Sequence, residues 1–145
     1  MRKGMRSNDK VFVKPFPGAT IEDMRDYVRP TMKRQPDLIV VHAGTNNLRS
    51  DASANQIAGE LVKLATQMKS EENDVIVSSL TARADGLAEK AKEVNMALVD
   101  ECSKVNLHLI NNDNIGTNDL NGSGLHLNHK GTVTLARNLL EAIII

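Results

Sequence analysis

Leu38-Ile39-Val40-Val41-His42-Ala43-Gly44-Thr45-Asn46-Asn47 is a short aliphatic run that ends in a glycine and a group of polar residues. A run this short and this rich in Val and Ile reads as a strand buried on both faces, with the glycine and asparagines marking the loop after it. Three more runs read the same way: Lys10 to Phe16, centred on Val11, Phe12 and Val13; Val75 to Leu80; and Leu107 to Ile110. Helical periods lie between them. Ile57, Leu61, Leu64, Ala65 and Met68 share one face, and Ser53 and Gln56 have the spacing of a capping box at its start. Leu87, Ala91, Val94, Leu98 and Val105 form a second stripe, and Val133, Ala136, Leu139, Leu140 and Ile143 a third. Thr20 is placed to cap a helix carrying Ile21, Met24, Tyr27 and Val28, while Pro30 imposes a kink or restart near Arg29. Strands alternating with helices predict an α/β fold, a mostly parallel sheet covered on both faces. One domain spanning 1–145 accommodates all of it.

Composition limits what such a domain can do. Hydrophobic residues make up 41% of the chain but aromatics only 2% (Phe12, Phe16 and Tyr27), which leaves no platform for stacking sugars or single-stranded nucleic acid. Lys plus Arg number 18 and Asp plus Glu 18, so the domain as a whole has no electrostatic drive toward a polyanion, and nucleic acid is not the expected partner. Cys102 is the single cysteine and reads as a small buried hydrophobe. No run reaches membrane-spanning length, and Met1-Arg2-Lys3-Gly4-Met5-Arg6 has no apolar segment after it, so a cytoplasmic protein without a signal peptide is expected. Neither a metal-ligand cluster nor a phosphate-binding glycine motif is present, and no cofactor is expected.

Ligands of open parallel sheets bind beyond the carboxyl ends of the strands. The residues with chemistry fall in those loops. After the first run comes Pro15-Phe16-Pro17-Gly18-Ala19-Thr20, where Gly18 can bring a backbone N–H to a ligand. After the second come Asn46 and Asn47, which suit either turn caps or an amide aimed at a developing oxyanion. After the last comes Asn121-Gly122-Ser123-Gly124-Leu125-His126-Leu127-Asn128, which delivers His126 to the start of the final helix, either as a group with chemistry or as a loop histidine bonded to backbone. His42 and His108, inside strand-like runs, and His129, at the start of that helix, read as structural.

Together these blocks resemble the SGNH hydrolases, also called GDSL-like esterases and lipases, over about Lys10 to Ile143. The wording around them is most similar to members found as mobile-element-like reading frames in invertebrate genomes. The resemblance implies a flavodoxin-like three-layer α/β/α sandwich and hydrolysis of carboxylic esters. It implies that Gly18 and Asn46 supply oxyanion donors, that Asn47 stands where the family has Asp, and that His126 is the base for a nucleophilic serine. A small ester or acyl substrate follows as the expected partner.

Two family features are absent. Ser123 occupies the position of the family's aspartate in Asp-x-x-His, which leaves Ser123 itself or the nearby Asp119 to orient the imidazole. The Gly-Asp-Ser block that carries the nucleophile has no match before Gly18, and Ser7 follows no apolar strand. The expectation is a domain lacking its first, central strand and truncated at the N-terminus. Such a domain is inactive as written, or a catalytically silent acyl-binding or protein-interaction module, and is prone to self-association through open sheet edges.

Overall fold

The computed structural model describes residues 11–143. Helices α1 (Ile21–Tyr27) and α2 (Arg29–Lys33) precede strand β1 (Leu38–Val41), then come α3 (Ala54–Met68), β2 (Asp74–Ser78), α4 (Ala88–Lys104), β3 (His108–Ile110) and α5 (His129–Ile143). Among the described residues the sheet has three strands in the order β1-β2-β3, all parallel, with Val40 opposite Ile76 and Ile76 opposite His108.

The helix starts follow the side chains expected to cap them. Thr20 Oγ1 accepts from Asp23 N–H at 3.3 Å while the Asp23 carboxylate accepts from Thr20 N–H at 3.0 Å. Ser53 and Gln56 make the equivalent reciprocal pair at the start of α3, at 3.1 and 2.8 Å. Pro30 falls in the first turn of α2, where its missing N–H costs nothing, and the helix therefore restarts at Arg29.

Alternation sorts the two faces of the sheet. Val41, Val75 and Val77 join Ile21, the α3 stripe and Ala91, Val94, Leu98 and Cys102 of α4 in one continuous core. Ser78, one residue out of phase with Val77, is turned to the opposite face, where the Asn138 amide of α5 reaches Asn112, the partner of Ser78. That second face is thinly covered. Leu38 and Val40 are only half-buried, β1 is paired on one edge alone among the described residues, and on α5 Val133 and Leu140 remain 41% and 45% exposed. The apolar stripe expected on α5 thus exists as a helix face, yet Gly131 is its only buried residue.

Two expectations are corrected. Val11 to Phe16 is not a strand: Val11, Phe12 and Val13 are 59%, 64% and 82% exposed, with no strand partner among the described residues. Without a ladder its backbone has no reason to pleat, and the segment is held by side chains, Phe12 beneath the Arg34 guanidinium at 5.6 Å and Phe16 against Tyr27 at 5.1 Å. Lys10 lies outside the described residues. Val105 does not extend the α4 stripe, because the helix ends at Lys104 and leaves Val105 43% exposed, with Cys102 as the last buried position.

α5 is seated by Gly131. A Cβ there would stand 2.3 Å from the carbonyl oxygen of Asp119, which already accepts from Asn128 N–H at 2.8 Å. Helix propensity alone favours Gly131→Ala by about 0.5–1 kcal/mol. The contact reverses the sign, and we expect Gly131→Ala to lower stability by about 1–3 kcal/mol in urea unfolding, the usual cost of overpacking.

Candidate functional site

Three loops at the carboxyl end of the sheet are joined by polar contacts. The first is the turn Phe16-Pro17-Gly18-Ala19, closed by Ala19 N–H donating to the Phe16 carbonyl at 3.0 Å. Gly18 adopts φ +77°, the left-handed conformation that a type II turn, here with Pro17 at its second position, requires at its third. Its N–H makes no hydrogen bond among the described residues, and the residue is exposed.

The second loop opens at Gly44 and carries a 3₁₀ turn, Thr45–Arg49. Asn46 is exposed, and its Nδ2 donates to the Ala19 carbonyl at 2.9 Å, which draws the Gly18 turn against this loop. Asn47 is buried and does a second tethering job, its Oδ1 accepting from Ile21 N–H at 2.9 Å and its Nδ2 donating to Glu22 at 3.3 Å. Asn46 Nδ2 carries two protons, of which one holds Ala19 and the other has no partner among the described residues.

The third loop brings His126. Asn121 N–H donates to the His126 carbonyl at 2.8 Å and Leu120 bridges Leu127, which makes the segment a tight antiparallel turn. Asn128 then caps α5, its Oδ1 accepting from Gly131 N–H at 2.9 Å. Ser123 Oγ donates to Asn121 Oδ1 at 2.5 Å and accepts from His126 N–H at 3.5 Å, so it shapes the turn through the backbone of His126. Asp119 is buried, with one carboxylate oxygen accepting from Gly116 N–H at 2.9 Å and the other facing Lys130 at 3.6 Å. The imidazole of His126 is exposed and makes no hydrogen bond with a described residue. His129 and His108 are exposed on α5 and β3.

The piece that links the loops was not singled out by sequence reasoning. Arg83, in the loop after β2, keeps only 3% of its side chain exposed. Its Nε and Nη2 grip the Asp85 carboxylate at 2.9 and 2.5 Å, and Nη1 donates to Thr45 Oγ1 at 3.0 Å and the Thr45 carbonyl at 3.3 Å. The next residue, Ala84, donates its N–H to the Gly124 carbonyl at 2.8 Å. One tripeptide therefore holds the residue before Asn46 with its first member and the His126 loop with its second. An Arg-x-Asp pair after an apolar strand is the only sequence signal for it.

A small cleft of about 170 Å³ opens between the first two loops, lined among others by Lys14, Phe16, Ala19, His42, Asn46 and Thr81. His126 is not among its lining residues. His42, expected inside a strand, lies just beyond the end of β1 and contacts this cleft. No group of His, Cys, Asp and Glu among the described residues has the arrangement of a metal site, and no described helix is long and apolar enough to cross a membrane.

The Arg83 guanidinium holds the Asp85 carboxyl well below the usual carboxylate range, at about 2. Because the folded-state value is depressed, the pair's contribution to stability is complete above the unfolded value of roughly 4. It is lost as pH falls toward about 2. We expect the Tm gap between the wild type and Arg83→Met to be constant through neutral pH and to narrow below roughly pH 4. Asp85→Ala should cost more than Arg83→Met at neutral pH, since it leaves a buried guanidinium without its anion.

Comparison with curated proteins finds no significant sequence match. Solved structures do match. A GDSL-like lipase from Bacteroides thetaiotaomicron superposes with a TM-score of 0.75 at 18% identity, over 87% of this chain and 71% of that one. A lipolytic protein of the G-D-S-L family from Veillonella parvula gives 0.70 at 21% identity, over 86% and 74%. A catalytic mutant of an acetylxylan esterase from Geobacillus stearothermophilus gives 0.71 at 15% identity, over 87% and 68%. The pattern of the GDSL-like lipase/acylhydrolase family matches residues 3–132, nearly the whole described fold, and the chain belongs to that family.

Proposed function

We propose that this chain supplies the oxyanion-binding and general-base parts of an SGNH-type ester hydrolase, and that the attacking serine belongs to a strand that pairs with the free edge of β1. The observation that carries the reading is the tethering of the three loops, through Asn46 to Ala19, Arg83 to Thr45 and Ala84 to Gly124, at one end of the sheet. Three features support the added strand. Among the described residues β1 is unpaired on one side and the apolar face of α5 is only partly covered, and the solved relatives have a quarter to a third of their length outside the match.

In this reading the serine Oγ attacks the ester carbonyl carbon as His126 takes its proton. The electron pair of the C=O bond moves onto oxygen, where Gly18 N–H, the free proton of the Asn46 amide and the serine's own N–H receive it. Collapse expels the alkoxide, which takes the proton from His126, and water repeats the sequence on the acyl-enzyme. A cleft of about 170 Å³ favours a short acyl group such as acetyl.

A specific observation favours a second reading, a catalytically silent module that binds an acyl ligand or a protein. Ser123 is committed to Asn121 and Asp119 to Gly116 and Lys130, so no described carboxylate touches the His126 ring. An open β1 edge also offers a route to self-association, which a concentration series in analytical ultracentrifugation would register.

One experiment separates the readings. A chain extended at its N-terminus by an apolar strand ending in Gly-Asp-Ser should unfold at a higher temperature and hydrolyse short p-nitrophenyl esters. In that protein His126→Ala should abolish turnover with little change in Tm, and Asn46→Ala should lower kcat by about 10²–10³. Ser123→Asp should raise kcat by placing an anion beside the imidazole. An extended chain that folds stably and stays inert would favour the silent module, and stoichiometric organophosphonate labelling at Ser7 or Ser123 of the 145-residue chain would overturn the assignment of an external nucleophile.

A further inference from the structure

A line of hydrogen bonds crosses the strand ends beneath the cleft and stops at His42. On α5, Asn138 Nδ2 donates to Asn112 Oδ1 at 3.0 Å. Asn112 Nδ2 donates to the Ser79 carbonyl at 2.7 Å and to Ser78 Oγ at 2.8 Å. The orientation of this amide is fixed, because turning it over would set its oxygen against the Ser79 carbonyl oxygen. Ser78 Oγ lies 2.8 Å from His42 Nδ1, and Ser78 is fully buried.

The chemistry of the line determines where its last proton sits. Asn112 fills an acceptor position on Ser78 Oγ, so the hydroxyl proton needs an acceptor of its own. Among the described residues His42 Nδ1 is the one within reach. Were Nδ1 protonated instead, it would donate to Ser78 and leave that buried hydroxyl proton without a partner, which buried donors rarely tolerate. The ring is therefore unprotonated at Nδ1 and carries its hydrogen on Nε2. His42 is exposed as a residue, and desolvation on its inner side lowers its pKa from the usual imidazole value against an opposing contribution from the Ser78 backbone, a net shift in the direction of the neutral form. With Nδ1 turned to Ser78, Nε2 lies on the opposite ring edge, and it has no partner among the described residues. His42 and Asn46 line the same small cleft.

We infer that the Asn138–Asn112–Ser78 chain holds His42 as the neutral Nε2–H tautomer, which presents a further hydrogen-bond donor to the cleft, beside Asn46, for a carboxylate or acyl oxygen. The tautomer follows from the hydrogen bonds alone, and the oxygen-holding role rests on the esterase reading. His42 is thus a ligand-contacting donor, distinct in task from the base His126.

Both parts are testable on the 145-residue chain without turnover. Long-range proton–nitrogen correlation spectra of labelled protein at mildly alkaline pH should show His42 protonated at Nε2 and bare at Nδ1. A dominant Nδ1–H form would overturn the tautomer. Ser78→Ala should let the Nδ1–H form appear, while unchanged populations would show that Ser78 does not set it. Acetate is the probe for the second part. It should shift the His42 Nε2–H and the Asn46 side-chain amide together, and His42→Ala should weaken acetate binding about tenfold, the scale of one charge-assisted hydrogen bond. Acetate that moves Asn46 but not His42, or neither, would overturn the donor role. An extended chain that proves inert toward esters while His42 keeps its Nε2–H tautomer would contradict the esterase reading and leave the tautomer standing.

Discussion

The buried guanidinium of Arg83 is the joint on which the loop arrangement depends. A charged group with only 3% of its side chain exposed is stable only if its donors are matched, and here they are matched by an anion on one side and a backbone segment on the other. Asp85 neutralises the charge and also accepts from Leu87 N–H at 3.2 Å, so the same carboxylate fixes the approach to α4. Thr45 receives the remaining donor, which places Asn46 one residue further along. The requirement to satisfy one buried cation thereby aligns the loop after β1 with the loop after β2, and Ala84 passes the alignment to the His126 turn.

Asparagine side chains do most of the remaining work at this end of the sheet. Asn46 and Asn47 bind the Gly18 turn and the start of α1, Asn95 clamps both the N–H and the carbonyl of Leu80, and Asn128 starts α5. Each has a donor and an acceptor on one short stem, which suits loops whose backbone groups lack ladder or helix partners. This preference for amides over charges leaves the cleft lined by neutral hydrogen-bonding groups, with Lys14 as the single cation among its lining residues.

Much of this was legible in the sequence, for reasons that differ by element. β2 and α3 announce themselves because their neighbours in space bury them, and the half-buried β1 and β3 because they are short aliphatic runs bounded by turn or polar residues. The capping residues Thr20 and Ser53 act within three positions and need no tertiary knowledge. The run from Val11 to Phe16 misled because β-branched apolar residues record a capacity for pairing, and pairing depends on a partner that the run itself does not encode. The face of α5 was legible as amphipathic but not as uncovered, for the same reason. That Gly18, Asn46 and His126 fall in loops at the ends of elements was legible, because turn and cap chemistry is local. Arg83, Ser78 and Asn112 were not, since each acts across more than 30 residues of chain and looks locally like an ordinary polar residue.

The central claim is that His126 and Asn46 face one site although they lie 80 positions apart in the chain. Paramagnetic broadening tests it directly. Cys102 is buried, and desolvation pushes its thiol to about 11, so a nitroxide reagent will react with a single cysteine introduced by His126→Cys. The account predicts strong broadening of the Asn46 side-chain amide and the Gly18 amide, with the Val62 and Leu64 amides of α3 unaffected. Sharp signals from Asn46 and Gly18, with broadening confined to the Ala84 and Asp119 neighbourhoods, would contradict it.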